Sequence, residues 1–239
     1  MTAYNVSINL DNETSRALTR HGFSMHIFKG VKSANIRGAL PTLWFSTNDF
    51  SNNHINVAWE SRDDSYGGYF SEAKLQSGEI IQPSFEHPMT VGDVMTYNNG
   101  APSVSTKGGA EGSFTFVSDK TSEIISGLLE KNPNRKLTPI CAFPQFSTIN
   151  NLVSPYEKIL ILFTENDLNI STAVSITLSV SISIKLSIVY PSAEIAFNIN
   201  KGWDKRGNLQ ATINPKNFAL AKDLIISSKS LLNLLEAKK

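Results

Sequence analysis

The chain has 239 residues, of which 41% are hydrophobic and 18% are charged, and this composition excludes an intrinsically disordered protein. Its 22 Lys and Arg residues nearly balance its 21 Asp and Glu residues, so no overall charge favours nucleic acid and we expect no nucleic-acid partner. Cys141 is the only cysteine, which excludes an intramolecular disulfide and a zinc site built on two or more cysteines.

The N-terminal residues contain neither a basic start nor an apolar run of the signal-peptide type. No uninterrupted apolar stretch is long enough for a transmembrane helix. We therefore expect synthesis in the cytoplasm without a signal peptide. Release by lysis or by a non-classical export route stays open.

Short segments in which apolar and polar residues alternate recur from the N-terminus onward. Because successive side chains of a strand point to opposite faces, this alternation predicts half-buried β-strands. Continuous apolar runs at residues 43–45 and 159–163 predict central strands that are covered on both faces. Clusters of Gly, Asn and Pro separate these segments and predict turns. The alternating segments contain, in chain order, Val6, Met25, Val57, Phe116 and Phe197.

Roughly ten short strands between frequent turns predict an all-β fold, an antiparallel β-sandwich over residues 1–200. Residues 121–131 are ambiguous, because their apolar pairs have helical spacing whereas Gly127 weakens a helix. The remaining segment, residues 201–239, is predicted to form a C-terminal amphipathic α-helix. Asn214 would be its N-cap, and Pro215 would occupy its first position.

The alternation is longest between residues 174 and 188, where every even position is apolar and the odd positions carry Ser, Thr and Lys185. Only a β period explains this pattern, because in a helix the apolar side chains would spread over all faces. At ~3.3 Å per residue, a single strand of this length would extend about 50 Å. The apolar face consists of Val174, Ile176, Leu178, Val180, Ile182, Ile184, Leu186 and Ile188.

Three interpretations of residues 174–188 stay open. The first is a core strand that crosses the sandwich. The second is a membrane-insertion strand of the pore-forming toxin type, in which apolar side chains face lipid and small polar ones face a lumen. The third is an assembly edge that pairs with other copies of the chain in filaments or crystals.

No nucleotide-binding, metal-binding or catalytic motif is present, so we expect no enzyme, no catalytic residue, no metal and no cofactor. The four histidines are scattered without the spacing that places two ligands on one helix face. Cys141 lies in an apolar stretch, which predicts a buried and unreactive thiol. The sequence therefore predicts a non-enzymatic protein that works by association, as a homo-oligomer with membrane lipid as a partner.

A second functional pattern occurs in residues 60–70, which combine acidic residues, an arginine and two tyrosines with two glycines. Aromatic faces and carboxylates are typical of sugar-binding sites, and loops on sandwiches often carry such sites. A lectin-like carbohydrate-binding module with a glycan ligand is thus an alternative, and a solvated turn is the simpler explanation. The candidate ligand-binding residues are Asp63, Asp64, Tyr66 and Tyr69.

Three short motifs resemble a group of fungal and bacterial β-sandwich proteins of unknown activity. They are G-F-S-M-H-I-F-K-G at residues 22–30, P-T-L-W-F-S-T at residues 41–47 and P-I-C-A-F-P at residues 139–144. The resemblance spans residues 4–190 and leaves the predicted C-terminal helix outside. It implies β architecture and assigns no site residues.

Overall fold

A computed structural model describes residues 2–106, 108–119, 124–145 and 150–236 of the chain. The protein is mostly β, with its strands arranged in three sheets, which confirms the all-β prediction. The helices are α1 (Asn12–Arg20), α2 (Leu220–Leu224) and α3 (Lys229–Glu236). In chain order, the strands are β1 (Thr2–Leu10), β2 (Ser24–Ser33), β3 (Leu40–Pro41), β4 (Leu43–Thr47), β5 (His54–Ser61), β6 (Tyr66–Ser71), β7 (Phe85–Pro88), β8 (Val94–Asn98), β9 (Ala101–Ser105), β10 (Phe114–Ser118), β11 (Ile125–Lys131), β12 (Leu137–Pro139), β13 (Cys141–Pro144), β14 (Asn151–Thr164), β15 (Ser181–Lys185), β16 (Ser192–Asn198), β17 (Gly202–Asp204), β18 (Ala211–Asn214) and β19 (Ile225–Ser227).

The smallest sheet has four strands in the order β17-β16-β1-β5, and the six-stranded sheet has the order β3-β13-β11-β6-β7 with β12 paired to β11. The nine-stranded sheet runs β18-β15-β14-β10-β8-β9, while β2 pairs with β14 and carries β4 and β19. Most pairings of the described strands are antiparallel. The pairs β1–β16, β8–β10 and β2–β19 are parallel.

One large cluster of buried side chains draws on all three sheets, for example on Ile8, Ile161 and Leu128. The alternation predicted for β1 is observed, because every second residue from Tyr4 onward is buried. Residues 159–163 are buried at every position, as expected for a strand that lies between β2 and β15. The sheets therefore cover a common core.

The ambiguous residues 121–131 form a strand, β11, in their described part. Only glycine fits at position 127 of this strand, because a Cβ atom there would overlap the carbonyl oxygen of Cys141 and the ring of Tyr69. Cys141 is fully buried, and burial raises the pKa of its thiol to about 12. Asp11 follows β1 and caps the first turn of helix α1, where its carboxylate accepts a hydrogen bond from the Thr14 N–H at 2.7 Å.

The single strand predicted over residues 174–188 is wrong, since only β15 is a strand in this segment. Before β15 the backbone makes only isolated hydrogen bonds to other segments, such as that from the Thr177 N–H to the Phe218 carbonyl at 2.9 Å, and two hydroxyl groups add side-chain bonds. Thr177 Oγ1 donates to the Pro215 carbonyl at 3.2 Å, and Ser179 Oγ donates to the Phe163 carbonyl at 2.6 Å. Hydroxyl groups compete for backbone partners in this way, and the extended segment is therefore interrupted.

The prediction of one C-terminal helix is also corrected, because residues 201–239 contribute β17, β18 and β19 to the sheets. Asn214 lies in β18 and donates to Ser183 Oγ at 2.7 Å, so it does not cap a helix. Helices α2 and α3 are separated by β19, which pairs in parallel with β2. Among the described residues, no helix has both the length and the apolar character needed to cross a bilayer.

Candidate functional site

A cleft of about 610 Å³ opens between the edge of the four-stranded sheet and the connection from β11 to β12. Pockets of roughly 300–1,000 Å³ are the usual size for small ligands. The aromatic part of its lining comes from β1 and β5, and the charged part comes from two segments, residues 60–62 and residues 131–135. We call it the basic cleft, and its principal side chains are Tyr4, Trp59, Glu60, Arg62, Lys131 and Arg135.

The side chains of Arg62 and Lys131 are held by ion pairs at the rim of the basic cleft. Arg62 Nε lies 3.0 Å from Asp64 Oδ1 and 3.3 Å from Glu60 Oε2. Lys131 Nζ lies 3.2 Å from Asp64 Oδ2, and this hydrogen bond is the main reason why the pKa of Asp64 is lowered. Exposed pairs of this kind contribute little stability, but together they restrict the two cations to one geometry.

The connection from β11 to β12 is fixed by Asn132, which is buried. Asn132 Oδ1 accepts hydrogen bonds from the N–H groups of Asn134 at 2.9 Å and Lys136 at 3.2 Å. Its Nδ2 donates to Thr138 Oγ1 at 3.1 Å. Arg135 therefore extends from a rigid turn rather than from a loose loop.

A buried charged cluster of Lys29, Glu130 and Glu157 lies behind the aromatic wall of the basic cleft. Lys29 Nζ donates to Glu130 Oε1, and it also donates to Glu157 Oε2 at 3.2 Å. The same Nζ lies 4.9 Å from the ring centre of Trp59 and 5.1 Å from that of Trp44. Trp59 Nε1 donates to Glu157 Oε2 at 3.1 Å, so the cluster also fixes the indole that lines the cleft.

Burial governs the protonation of this cluster. It raises the pKa of Glu130 to about 7, although the neighbouring Lys29 opposes the shift. Burial alone would lower the pKa of Lys29, but the two carboxylates raise it above its ordinary value. Glu130 Oε2 has no hydrogen-bond partner among the described residues. Lys29 and Glu130 are closed to solvent, whereas the side chain of Glu157 is 13% exposed, and the cleft in front of the cluster presents the accessible polar groups.

A second surface feature lies between β15 and β16. Ile188, Val189 and Tyr190 are 78%, 75% and 58% exposed, and we call these residues the apolar tip. The Ser187 N–H donates to the Tyr190 carbonyl at 3.0 Å and closes the tip as a turn. Leu209, which is 94% exposed, belongs to the same end of the nine-stranded sheet, because its neighbour Gln210 accepts a hydrogen bond from the Lys185 N–H at 3.1 Å.

The apolar tip and the basic cleft are neighbours along β1. The Asn5 N–H donates to the Pro191 carbonyl at 3.0 Å, directly after the tip. Tyr4, the residue before Asn5, lines the cleft. Two strand spacings, or about 10 Å, separate β16 from the cleft residues of β5.

The predicted insertion or assembly residues do not share one face. Ile176, Val180 and Ile188 are among the exposed large apolar residues, and Leu178 is half-buried. The others belong to the core: two of them lie in β15, where residues 181–184 are all buried, and the other two lie before and after that strand. These buried residues are Val174, Ile182, Ile184 and Leu186.

The four predicted sugar-binding residues are not brought together at one surface. Asp63 and Asp64 are exposed, whereas Tyr66 and Tyr69 are 4% and 0% exposed. The reason is that the glycine-rich stretch is not a loop but strand β6, which pairs with β11 on one side and β7 on the other. The Tyr69 hydroxyl donates to the Cys141 carbonyl at 2.9 Å in the interior.

The sequence interpretation missed Lys131, Arg135 and the buried charged cluster. A usable signal exists for the cluster, because Lys29 interrupts the apolar run of β2 and Glu130 follows two leucines in β11. Charged residues inside apolar strands are rare unless they are paired.

Comparisons of the chain with protein-family models, with curated proteins and with solved structures gave no match.

Proposed function

We propose that this is a non-enzymatic, membrane-active protein that attaches to the surface of a lipid bilayer through the apolar tip. The observation that carries the proposal is the exposure of three consecutive large side chains, Ile188, Val189 and Tyr190, at 78%, 75% and 58%. Single exposed apolar residues are normal, but a contiguous patch marks an interaction site. Tyrosine beside aliphatic residues is typical of the membrane–water interface.

The charges around the tip favour a bilayer over an apolar protein surface. Between residues 185 and 191, Lys185 is the only charged residue. The connection that carries Leu209 contains the exposed cations Lys205 and Arg206, beside the carboxylates of Asp204 and of Glu194, which lies 3.7 Å from Arg206. Each Lys or Arg near an anionic membrane surface contributes about 1 kcal/mol to binding. We therefore expect a preference for anionic lipid.

We propose attachment through the apolar tip instead of insertion of the whole segment 174–188 into the bilayer. Ile182 and Ile184 are fully buried, and β15 would have to leave β14 and β18 before it could enter lipid. Ile188 is the end of that segment that is already exposed. We propose that it contacts the bilayer first, and that oligomerisation into a pore follows this attachment.

Vesicle flotation tests the proposal. We expect binding to phosphatidylserine vesicles that exceeds binding to phosphatidylcholine vesicles. The double variant Ile188→Ser, Val189→Ser should bind at least about tenfold more weakly, because two exposed apolar side chains no longer enter the interface. The control is Ile36→Ser, another exposed apolar side chain at 45%. An equal loss of vesicle binding in both variants, or no flotation of the unmodified chain, would contradict the proposal. Dye release from the same vesicles measures whether pores form.

Self-association is a second candidate, and the free edge of β5 favours it. Among the described strands, β5 pairs only with β1, and its outward residues Asn56, Ala58 and Glu60 are exposed. An unpaired edge of this length is a template for another copy. Sedimentation of the lipid-free protein tests this candidate. Asn56→Lys at the free edge should dissociate a dimer. Ser7→Lys is the control, because Ser7 pairs with Asn56 from the inner strand β1, and this variant should leave a dimer intact. A monomeric unmodified chain would eliminate this candidate.

We also propose that the three sheets form a β-sandwich and that α2 and α3 are its C-terminal helical part. The shared core cluster supports this description. The carbohydrate-binding alternative has less support, because both of its tyrosines are buried.

A further inference from the structure

We propose that the basic cleft is a binding site for a phosphate group, held by Arg62, Lys131 and Arg135. The inference does not rest on membrane attachment, because the cleft and the apolar tip are formed by different residues. Its first support is charge: among the lining residues, three cations face the single carboxylate of Glu60. Asp64 pairs with Arg62 and Lys131 without lining the cleft and reduces the local excess to one positive charge, and a cleft with a positive excess concentrates anions.

The three cations come from two segments that are distant in sequence and meet only in the fold. Arg62 follows β5, whereas Lys131 ends β11 and Arg135 lies four residues later in the turn before β12. A tetrahedral phosphate offers oxygens in several directions and can contact both segments. A carboxylate offers two oxygens in one plane. Guanidinium groups match phosphate oxygens with paired N–H donors, which favours phosphate as the ligand chemistry.

Asp64 preorganises two of the three cations without blocking the cleft. It contacts Arg62 and Lys131 from the outer side, where it lines a separate surface depression with Ser61 and Asp63. An ammonium group has three donors and a guanidinium has five, so Asp64, together with Glu60 on Arg62, still leaves donors on both side chains unused. A phosphate can thus bind without first breaking these ion pairs.

Arg135 is the cation most available to a ligand. Its guanidinium makes no ion pair within the part of the chain that the structure describes. Its backbone has φ of 60°, a left-handed conformation that non-glycine residues adopt only where the surroundings hold it. The Arg135 N–H donates to the Asn132 carbonyl at 2.7 Å, and Asn132 is itself anchored. The turn therefore fixes the backbone of Arg135, while its exposed side chain carries a guanidinium without an ion pair to the described residues.

The phosphate could belong to a soluble molecule or to a lipid headgroup, and both have the same chemistry. The hydrogen bond from Asn5 to Pro191 places the apolar tip beside the strand that lines the cleft. A headgroup bound in the cleft would consequently lie near a bilayer in contact with the tip. The experiment separates the two sources.

Isothermal titration of the full chain with inorganic phosphate and with glycerol 3-phosphate tests the site. We expect saturable binding that weakens about 10- to 100-fold in Arg135→Gln, because a hydrogen bond to a charged group is lost. Arg206→Gln is the matched control, since it removes an exposed guanidinium from another loop and should leave the affinity unchanged. Equal affinities of Arg135→Gln and the unmodified chain would overturn the proposal.

Vesicles containing phosphatidic acid form the second arm. If neither soluble probe binds but Arg135→Gln weakens vesicle binding selectively, the ligand is a lipid headgroup. If no probe binds in an Arg135-dependent way, the site does not exist. The Ile188→Ser, Val189→Ser variant should retain the titration with glycerol 3-phosphate, so failure of the membrane proposal and failure of the phosphate site give different results.

Discussion

Gly127 lies opposite Tyr69 in the pairing of β11 with β6, and the tyrosine ring packs directly over it. The Tyr69 hydroxyl reaches across to the Cys141 carbonyl of β13, the strand on the other side of β11. A glycine in a strand interior usually weakens the strand. At this position it permits a contact among three adjacent strands that no other residue would allow.

At the scale of this residue, Gly127→Ala should lower the free energy of unfolding by about 2–3 kcal/mol, because the added methyl group forces the Tyr69 ring and the β13 backbone apart. Gly108→Ala is the comparison, since a Cβ there lies 3.3 Å from the Ser105 hydroxyl and needs only a small shift. Urea unfolding of both variants measures the difference. Similar stabilities would show that the strands move freely at this contact.

At the scale of the element, β15 and the residues before it differ in burial although their sequence pattern is the same. Ile182 is 0% exposed and Val180 is 47% exposed. Ile182→Ala should therefore cost about 2–5 kcal/mol of stability through the cavity it leaves, whereas Val180→Ala should change stability by less than about 1 kcal/mol. Thermal or urea unfolding distinguishes them. Equal losses of stability in the two variants would indicate that residues 174–188 form one uniformly buried apolar face.

Periodicity predicted which residues are extended but not where a strand ends. The alternation of β1 and the apolar run of β14 were sufficient to place both strands correctly, because burial repeats with the backbone period. The same alternation in residues 174–188 misled, since the hydroxyls of Thr177 and Ser179 bond to carbonyl groups of distant segments. Such long-range partners are not encoded in a local pattern.

The basic cleft was beyond the reach of the sequence for a related reason. Arg62 and Arg135 come together only because β6 pairs with β11, and this pairing brings Tyr66 opposite Glu130. Neither arginine belongs to a recognisable motif. The acidic residues that were singled out, Asp63 and Asp64, lie on the outer side of the cleft, so the sequence located the neighbourhood of the site but not its cations.

For the molecule as a whole, the buried charged cluster connects the sheets. Lys29 and Glu157 belong to the nine-stranded sheet, Glu130 to the six-stranded sheet, and Trp59, which bonds Glu157, to the four-stranded sheet. Removing one member of a buried ion pair leaves the remaining charge unpaired and is more costly than replacing the whole group. The stability of all three sheets therefore depends on the protonation of the side chains in this cluster.

Lys29→Met tests this coupling through its pH dependence. Without the ammonium group, Glu130 and Glu157 lose their cation, and we expect a loss of about 3–5 kcal/mol at pH 8. The folded-state pKa of Glu130 is already raised to about 7, above the usual 4.5, so its protonation restores stability as the pH falls through 7 toward 4.5. Urea unfolding at pH 8 and pH 5 measures the difference. Lys32→Met on the same strand should show no such pH dependence.

The pairing of β1 has a consequence for biosynthesis. Asn9 of β1 bonds Glu194 of β16 across a separation of 185 residues. At about 5–20 residues per second, a ribosome takes on the order of 10–40 seconds to make the intervening chain. During that interval β1 can pair with β5 alone, and its other side stays open to chaperones or to neighbouring nascent chains. The rate of translation, rather than the rate of collapse, thus limits when the four-stranded sheet is completed.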